Sequence, residues 1–303
     1  MSASSGRRAL PHEITDQALA SFAEGQDERL RTIMQSIVKH LHAFVSEVTL
    51  TEAEWAKGIA ALTATGEITD EKRQEFILWS DVLGVSMLVD ALAHDAPDGA
   101  TESTVLGPFY VQGSPVRPLG ASIAEQGAGT PTRVSGRVLD LSGGPIAGAE
   151  LDIWQNGDNQ LYAVQDENAP DDHLRGKFRT GEDGRYCFYA VRPVPYPVPD
   201  DGPVGHMLEA AGRHPWRPAH IHMVVRADGY RPVTTHIFDA ASPYLENDTV
   251  FAVKPSLVYS FLERAAGDPG HPPGTQGPWA DLELDLVLAA GDNADVVDLG
   301  RTH

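Results

Sequence analysis

The stretch Arg217-Pro-Ala-His-Ile-His-Met-Val-Val225 holds two histidines, two positions apart, inside an apolar run. Successive side chains of a strand point to opposite faces, so His220 and His222 share a face only if this segment is extended, with their Cα atoms roughly 6–7 Å apart. One metal ion can bridge that span. Because most histidines near apolar residues are structural, the rest of the chain has to decide whether this pair binds a metal.

The same spacing occurs at His40 and His42, in a segment with a different pattern. Apolar residues in 27–48 recur at intervals of three and four, which predicts a long amphipathic helix. On a helix, residues two positions apart do not face each other, so this second pair is not expected to share a metal.

Two further helices are predicted before residue 100. One begins near Thr51, where Glu54 completes a capping box. The other runs from Thr69 to His94 and is apolar on most of its sides. Such a helix needs to be covered on more than one side, so it is either an ordinary buried helix or part of a subunit interface.

After Asp95 short β-rich runs with Gly/Pro turns replace the helical pattern, which favours an antiparallel β-sandwich. We therefore predict an α+β protein with a helical N-terminal region (residues 1–100) and a β-sandwich domain (residues 101–303). The proline-rich segment 192–199 lacks ladder donors and is expected to be a stiff loop that holds Tyr196. A solvated tail is expected from Asp292. The predicted strands are 133–141, 149–154, 184–191, 220–226, 233–238 and 282–288.

Composition excludes several classes of function. The net charge of −20 disfavours binding to nucleic acid or to an anionic membrane. The single cysteine, Cys187, excludes an internal disulfide framework and a CxxC motif, which favours a cytoplasmic protein whose metal ligands are His, Tyr, Asp or Glu. No signal peptide and no apolar window long enough to span a membrane are visible.

Two tyrosines join the histidine pair within about sixty residues of sequence. Tyr162 follows the predicted strand that ends at Trp154, and Tyr196 lies in the proline-rich loop. A single tyrosine at a strand end is usually an amphipathic core residue with its hydroxyl in water. As a set, the four residues are a more specific pattern than any one of them.

The set Tyr162, Tyr196, His220 and His222 resembles the ligands of the intradiol ring-cleavage dioxygenases, in which two tyrosines and two histidines hold a non-haem Fe(III). The resemblance covers roughly residues 25–260 and includes Val134-Ser-Gly-Arg-Val138. One departure is Gln160, where the family usually has glycine. Because glycine permits a positive φ, this departure puts the shape of the loop in question rather than the ligand.

The resemblance implies one Fe(III) per subunit and a role for each ligand. Tyr196 is implied to be the axial phenolate that leaves the metal and takes a substrate proton; Tyr162 and His220 would be equatorial and His222 axial. Phenolates are hard anionic donors that favour Fe(III), whereas zinc sites recruit cysteine, histidine or carboxylate. Arg217 would be the electrostatic catalyst that stabilises the carbanion-like substrate. The alternative for Arg217 is a surface arginine packed on Trp216.

Substrate choice is predicted from segments that look most like the branch of the family acting on hydroxyquinol (benzene-1,2,4-triol), giving 3-hydroxy-cis,cis-muconate or maleylacetate. Asp81 could accept a hydrogen bond from the third hydroxyl, which would discriminate against catechol; the alternative is that Asp81 faces solvent. His236 stands where catechol dioxygenases generally carry glutamine. The predicted substrate-binding residues are Leu78, Asp81, Val105, Leu106, Gly107, Pro108, Phe109, Val198, Pro199, His236 and Val250.

Other functions and partners stay open at this point. A catechol or chlorocatechol 1,2-dioxygenase giving cis,cis-muconates is the alternative enzyme, and a non-catalytic binding module or metal-storage protein is the alternative class. The helical region resembles the dimerising part of these enzymes, where helices of two chains enclose a lipid-like ligand. The resemblance therefore implies a homodimer with a phospholipid site.

Overall fold

Helices form most of the chain up to Ala93 and strands predominate from Pro131 onward, which confirms the predicted α+β class. The computed structural model describes residues 10–70, 73–94, 96–124 and 129–291, so the predicted tail from Asp292 lies outside the described residues. The helices are α1 (Pro11–Ser21), α2 (Glu28–Glu47), α3 (Glu52–Ile68), α4 (Glu75–Val82), α5 (Val85–Ala93) and α6 (Pro203–Ala210). The strands are β1 (Pro131–Asp140), β2 (Glu150–Gln155), β3 (Arg175–Arg179), β4 (Arg185–Val191), β5 (Tyr196–Pro197), β6 (Trp216–Arg217), β7 (His220–Arg226), β8 (Val233–Asp239), β9 (Val258–Tyr259), β10 (Leu262–Arg264), β11 (Trp279–Glu283) and β12 (Leu286–Leu288).

The described residues up to 63 and those from 64 onward form two compact units; the functional division predicted near residue 100 stays a prediction. In the first unit the predicted amphipathic helix is α2. The predicted capping box is also present, because the backbone N–H of Thr51 donates to Glu54 Oε2 at 2.9 Å and the backbone N–H of Glu54 donates to Thr51 Oγ1 at 3.3 Å.

The third predicted helix, Thr69 to His94, is wrong as a single element. It begins at Glu75 and is broken between α4 and α5, where Gly84 takes a φ of 74°. A left-handed residue cannot continue a right-handed helix, and glycine adopts that conformation without a steric penalty. Among the described residues no single helix is long and apolar enough to cross a membrane; α4 and α5 reach that length and composition only together, and they are bent by 76°.

Two five-stranded sheets enclose the main hydrophobic core. The first sheet has the order β10-β11-β1-β12, with β4 also paired to β1, and the second has the order β3-β2-β7-β8-β9. Inward side chains of both sheets, such as Val134, Phe188, Leu151 and Ile237, form one buried cluster. The sandwich is therefore confirmed, although β1 pairs in parallel with β11 and β12, and β8 with β9.

The predicted strand Leu282–Leu288 is wrong as a continuous element, because it divides into β11 and β12. At the break, the Asp285 carboxylate accepts the backbone N–H of Arg137 at 2.9 Å, in the place where a strand carbonyl would bind. The Leu284 carbonyl accepts the Tyr186 hydroxyl at 2.9 Å. Side chains thus interrupt the ladder along β1.

Strand β7 separates two buried environments, and this positions the functional site. Ile221, Met223 and Val225 point into the main core between the sheets. His220, His222 and Val224 point to the opposite face because side chains alternate along a strand. Val224 packs there in a second apolar cluster that contains Phe109, Trp154, Tyr162 and Tyr196.

Candidate metal centre

The four predicted ligands meet at the face of β7 that points away from the main core. Tyr162 Oη lies 3.0 Å from His222 Nε2 and 3.4 Å from His220 Nε2. The two Nε2 atoms are 3.2 Å apart, and Tyr196 Oη lies 3.3 Å from Tyr162 Oη. All four residues are at most 3% exposed. The structure thus brings together side chains that are up to 60 positions apart in sequence.

Each of these side chains is placed by the local structure of its own segment. His220 and His222 share a face by strand alternation, as predicted. Tyr196 lies in β5, which pairs with β6 so that Tyr196 stands opposite Arg217. Tyr162 follows β2, and its backbone N–H donates to Gln165 Oε1 at 3.1 Å. One short two-stranded ribbon, β5–β6, and the turn after β2 therefore complete the site that β7 begins.

Gln160, at the position where the family usually has glycine, lies in a turn before Tyr162. Its φ is 69°, in the left-handed region. The turn is closed by the backbone N–H of Gln160, which donates to the Gly157 carbonyl at 3.0 Å, and by that of Gly157, which donates to the Leu161 carbonyl at 2.9 Å. Gln160 therefore adopts a left-handed conformation although it carries a Cβ, and this conformation has a steric cost.

The donor set fits a metal ion. Donor atoms that each lie about 2.0–2.1 Å from one small ion are about 3 Å from one another, and the neighbouring donor atoms here are 3.0–3.4 Å apart. Burial and the Arg217 charge lower the pKa of His220 well below its usual value, and burial and His220 do the same to the pKa of His222. Both imidazoles are therefore neutral, which is the form that binds metals.

The two phenols need a cation to become ligands. Burial raises the pKa of Tyr162 well above its usual value and also raises the pKa of Tyr196, although the charge of Arg217 opposes both shifts. A bound metal ion is the largest local charge in such a site and inverts this preference in favour of the phenolate. The site is consequently suited to a metal of high charge.

The two histidines are held in different ways. His220 Nδ1 lies 2.7 Å from the Pro218 carbonyl, which fixes that nitrogen as the donor and leaves Nε2 to bind. His222 stacks on Trp154 with ring centroids 4.6 Å apart, and among the described residues its Nδ1 has no hydrogen-bond partner. Gly107 closes the other side, since a Cβ there would lie 3.3 Å from His222 Cε1.

His236 stands beside the predicted ligands rather than in a separate pocket. In the β7–β8 pairing it lies opposite His222, with ring centroids 4.2 Å apart. Ligand atoms of His220, His222 and His236 all lie within 4.8 Å of one another, so the three form a histidine cluster suited to metal binding. The sequence placed His236 only in the substrate pocket; neither of its ring nitrogens has a hydrogen-bond partner among the described residues.

Arg217 is buried beside the ligands, so a surface position for it is wrong. Its Nη1 lies 3.3 Å from Tyr196 Oη and 3.3 Å from His220 Nε2. Burial disfavours the charged guanidinium, but Asp248 and the neighbouring phenols outweigh burial and raise its pKa. The Asp248 carboxylate, which sequence reasoning missed, accepts from Nε at 3.1 Å. The Asp248 carboxylate can therefore keep the Arg217 guanidinium charged beside Tyr196 and His220.

The structure divides the predicted substrate-binding residues between one cavity and the apolar clusters beside it. A cavity of about 520 Å³ is lined by Leu78, Pro108, Phe109, Val198 and Pro199, and Phe109 stacks on Tyr162 at 4.5 Å. Val250 packs with Leu78 and Val198, Leu106 packs on the tyrosine cluster, and Val105 is half-buried in the same loop as Gly107. Asp81 is 4% exposed and interacts with the charges of Arg217 and Asp248, so its solvent-facing alternative is wrong.

The second histidine pair lies on a helix, as its pattern predicted. His40 and His42 both lie on α2, and His42 Nδ1 contacts Thr15 Oγ1 at 2.9 Å. The only group of three or more potential metal ligands within the described ranges is the one that contains the β7 pair.

Comparison with known proteins defines the class. Residues 105–289 match the family model described as Dioxygenase, and residues 27–101 match the model described as Catechol dioxygenase N terminus. The chain belongs to the intradiol dioxygenase family, and it is a ring-cleaving enzyme that acts on an aromatic substrate with O2.

Among its relatives the hydroxyquinol enzymes are prominent. The chain is 49% identical over 276 residues to hydroxyquinol 1,2-dioxygenase of Rhizobium sp. (strain MTP-10005), covering 90% of this chain and 94% of the relative. The solved structure of hydroxyquinol 1,2-dioxygenase from Pseudomonas putida DLL-E4 has a TM-score of 0.86 at 49% identity, covering 93% and 99% of the two chains. Catechol 1,2-dioxygenase of Candida albicans is 39% identical over 256 residues, covering 83% of this chain and 84% of the relative.

Proposed function

We propose that this chain cleaves hydroxyquinol between its two adjacent hydroxylated carbons with O2, giving 3-hydroxy-cis,cis-muconate, the tautomer of maleylacetate. Both oxygen atoms of O2 enter the product. The observation that carries the choice of substrate is Asp81, a buried carboxylate close enough to Arg217 for the two charges to interact. The 49% identity to hydroxyquinol 1,2-dioxygenases supports the same choice. Cleavage of catechol or chlorocatechol to cis,cis-muconates is the alternative.

The metal in this proposal is Fe(III), one per subunit, with Tyr162, Tyr196, His220 and His222 as ligands. Two phenolates favour ferric iron over softer or divalent metals, and the separations of 3.0–3.4 Å between neighbouring donor atoms support binding of one ion. Bound Fe(III) would withdraw electron density from the ionised substrate and so make its ring reactive toward O2.

Tyr196 and Arg217 carry the proposed proton and charge chemistry. Tyr196 Oη would accept the proton of a substrate hydroxyl, because burial raises the pKa of this phenol and so makes its phenolate a stronger base. Arg217 Nη1, 3.3 Å from Tyr196 Oη, then faces the place where negative charge develops on the substrate. A fixed cation in a buried site stabilises such charge more than water does.

In this proposal the Asp81 carboxylate accepts a hydrogen bond from the third hydroxyl of the ring. It lies three positions after Leu78 on α4, so the two side chains share a helix face, and Leu78 lines the cavity. A triol satisfies the carboxylate, whereas catechol leaves it without that partner. Because an unpaired buried charge is costly, catechol binding and cleavage are penalised.

The same proposal includes the oligomeric state, a bound phospholipid and the location in the cell. Residues 1–100 form the dimerisation region of a homodimer and hold a phospholipid, and residues 101–303 form the catalytic domain. The match of residues 27–101 to the N-terminal model of the family supports this division. A cytoplasmic location is supported by the single cysteine, Cys187, which is a free thiol.

The proposal is tested on the purified protein by its metal content, its colour and its substrate preference. We expect one iron per subunit, a visible tyrosinate-to-iron absorption band and a higher kcat/KM for the triol than for catechol. A protein with stoichiometric zinc, no visible band and no O2 uptake with either substrate would refute the enzyme. A clear preference for catechol would instead select the alternative.

A matched pair of variants tests the tyrosine ligand. Tyr196→Phe should lower kcat by at least about 100-fold, the typical effect of losing a positioned proton-transfer group, and should alter the visible band. Tyr189→Phe removes a hydroxyl from β4 in the other sheet and should change neither. Equal behaviour of the two variants would contradict the role of Tyr196.

A further inference from the structure

Asp248 forms a buried two-point ion pair with the proposed electrostatic catalyst. Arg217 Nε donates to Asp248 Oδ1 at 3.1 Å, and Nη2 donates to Oδ2 at 3.2 Å. The side chains are 4% and 2% exposed. Two parallel hydrogen bonds between a planar guanidinium and a carboxylate fix orientation as well as distance, which a single contact does not.

The carboxylate of Asp248 is itself anchored to the backbone. Oδ1 accepts the N–H of Val250 at 3.3 Å and Oδ2 accepts the N–H of Ala252 at 3.0 Å. The backbone N–H of Phe251 donates to the Asp248 carbonyl at 3.0 Å, which closes the turn. The position of the carboxylate is therefore set by the chain around it and does not depend on Arg217.

This anchoring determines which atom of Arg217 faces the ligands. Nε and Nη2 occupy the edge of the guanidinium that faces Asp248, so the planar group directs Nη1 away from Asp248. Nη1 is the atom that lies 3.3 Å from both Tyr196 Oη and His220 Nε2. The contact of Arg217 with the centre is thus made through the one nitrogen that Asp248 leaves available.

We propose that Asp248 is a positioning residue, which acts through Arg217 by holding its guanidinium in the one orientation that aims Nη1 at the metal centre. The inference rests on the proposed function, since it assigns a task to the residue that stabilises the developing charge. Without the carboxylate, Arg217 keeps its charge but loses its fixed direction. A buried cation without its partner also becomes free to turn toward Asp81, whose carboxyl interacts with the Arg217 charge.

The test is Asp248→Asn in the iron-loaded enzyme. Because a misplacement of about 1 Å can cost about 100-fold in rate, we expect kcat to fall about 10- to 100-fold, while KM changes by less than about threefold. We also expect the tyrosinate-to-iron band of the resting enzyme to move to longer wavelength, since a phenolate that loses a hydrogen bond gives up its electron more readily. Unchanged kcat and an unchanged band would overturn the proposal.

A double-mutant cycle separates positioning from general damage. In an Arg217→Ala background there is no guanidinium to orient, so adding Asp248→Asn should change kcat by less than about twofold. An equal loss in both backgrounds would show that Asp248 does not act through Arg217. Asp281→Asn is the matched control: its carboxylate holds Arg133 by two bonds of 2.9 and 2.8 Å in the other sheet, and its loss should leave kcat and the band unchanged.

If Asp248→Asn does not fold, Asp248→Glu replaces it; this variant keeps the charge but moves the carboxylate by one methylene, and it should give a smaller loss in the same direction. An unchanged band and kcat in this variant overturn the proposal as well. All rates are measured with whichever of triol and catechol the wild-type enzyme prefers, so a wrong substrate assignment is detected separately from a wrong role for Asp248.

Discussion

Asp81 combines burial with a charge that titrates near neutral pH. Burial raises its pKa from 3.8 to about 6, against the opposing influence of the Ser86 hydroxyl and the Arg217 charge. Because the folded-state pKa lies above the unfolded-state pKa, ionisation of Asp81 destabilises the fold as pH rises from about 4 to about 6. This destabilisation arises at the side chain that is proposed to bind the third hydroxyl of the substrate.

The pH dependence of substrate preference tests this role. The ratio of kcat/KM for the triol to that for catechol should rise as pH rises through about 6, because the ionised carboxylate is the better acceptor. Asp81→Asn should lower the ratio by about tenfold or more and make it independent of pH in this range. Using a ratio cancels pH effects that the two substrates share.

A control for this experiment is Asp90→Asn. Asp90 is a buried carboxylate on α5 that pairs with Lys254 at 3.2 Å. Its replacement should leave the pH dependence of the ratio intact. If the ratio of the Asp81→Asn enzyme still rises with a midpoint near pH 6, another group is responsible and the role of Asp81 is refuted.

At the scale of elements, the turn that carries Tyr162 is held in a costly conformation. Gln160 has a φ of 69°, and a left-handed conformation costs a residue with a Cβ about 1–2 kcal/mol. Glycine removes that cost but loses more entropy on folding, by about 0.5–1 kcal/mol. We expect Gln160→Gly to raise the free energy of unfolding by about 0.5–1 kcal/mol, measured by urea denaturation.

The matched control lies in the same loop. Glu167 is exposed and is not among the residues with positive φ, so Glu167→Gly adds only the entropic cost. It should lower the free energy of unfolding by about 0.4–1 kcal/mol. If Gln160→Gly destabilises the protein as much as Glu167→Gly does, the conformation at position 160 is not strained.

The differences between the predicted and observed elements have two physical causes. The helix predicted over residues 69–94 is interrupted because Gly84 adopts a left-handed conformation, whereas periodicity alone treats a glycine inside a helical pattern as tolerated. Strand β3 (Arg175–Arg179) carries three charged residues and no clean alternation, and its pairing with β2 defines it. A local sequence pattern predicts elements that bury one face, but it misses a strand whose formation depends on pairing with a neighbouring strand.

At the scale of the whole molecule, the exposed apolar face of α2 predicts self-association. Ile33, Ile37, Leu41 and Phe44 lie on one side of the helix and are 40–56% exposed in the single chain. Apolar surface of this kind marks an interaction site. We expect a dimeric mass by light scattering at micromolar concentration, and Phe44→Glu should shift the protein toward the monomer.

Lys39→Glu on the same helix provides the control. Lys39 is exposed and lies off the apolar face of α2, so its replacement should leave the dimeric mass unchanged. A monomeric mass for the wild-type chain would contradict the proposed homodimer, and the same mass for the wild type and Phe44→Glu would exclude this face from the contact.

The strand that carries His220 and His222, and the face that they share, could be predicted from the sequence alone. His220 and His222 share a face because β-strand periodicity is a property of neighbouring residues, and it needs no other part of the chain. The tyrosines could be added to them only through the resemblance to a family. The tertiary structure then placed their oxygen atoms 3.0–3.4 Å from the histidine nitrogens or from each other.

The contacts of Asp248 and His236 could not be predicted from the sequence, because they depend on the tertiary structure. Asp248 reaches Arg217 from 31 positions away, and His236 lies beside His222 because of the register between β7 and β8. Neither contact leaves a periodic signal, since a carboxylate in a loop and a histidine in an apolar strand are compatible with many roles. Contacts between distant residues follow from sheet register and loop paths, which are set by the packing of the whole fold rather than by any single segment.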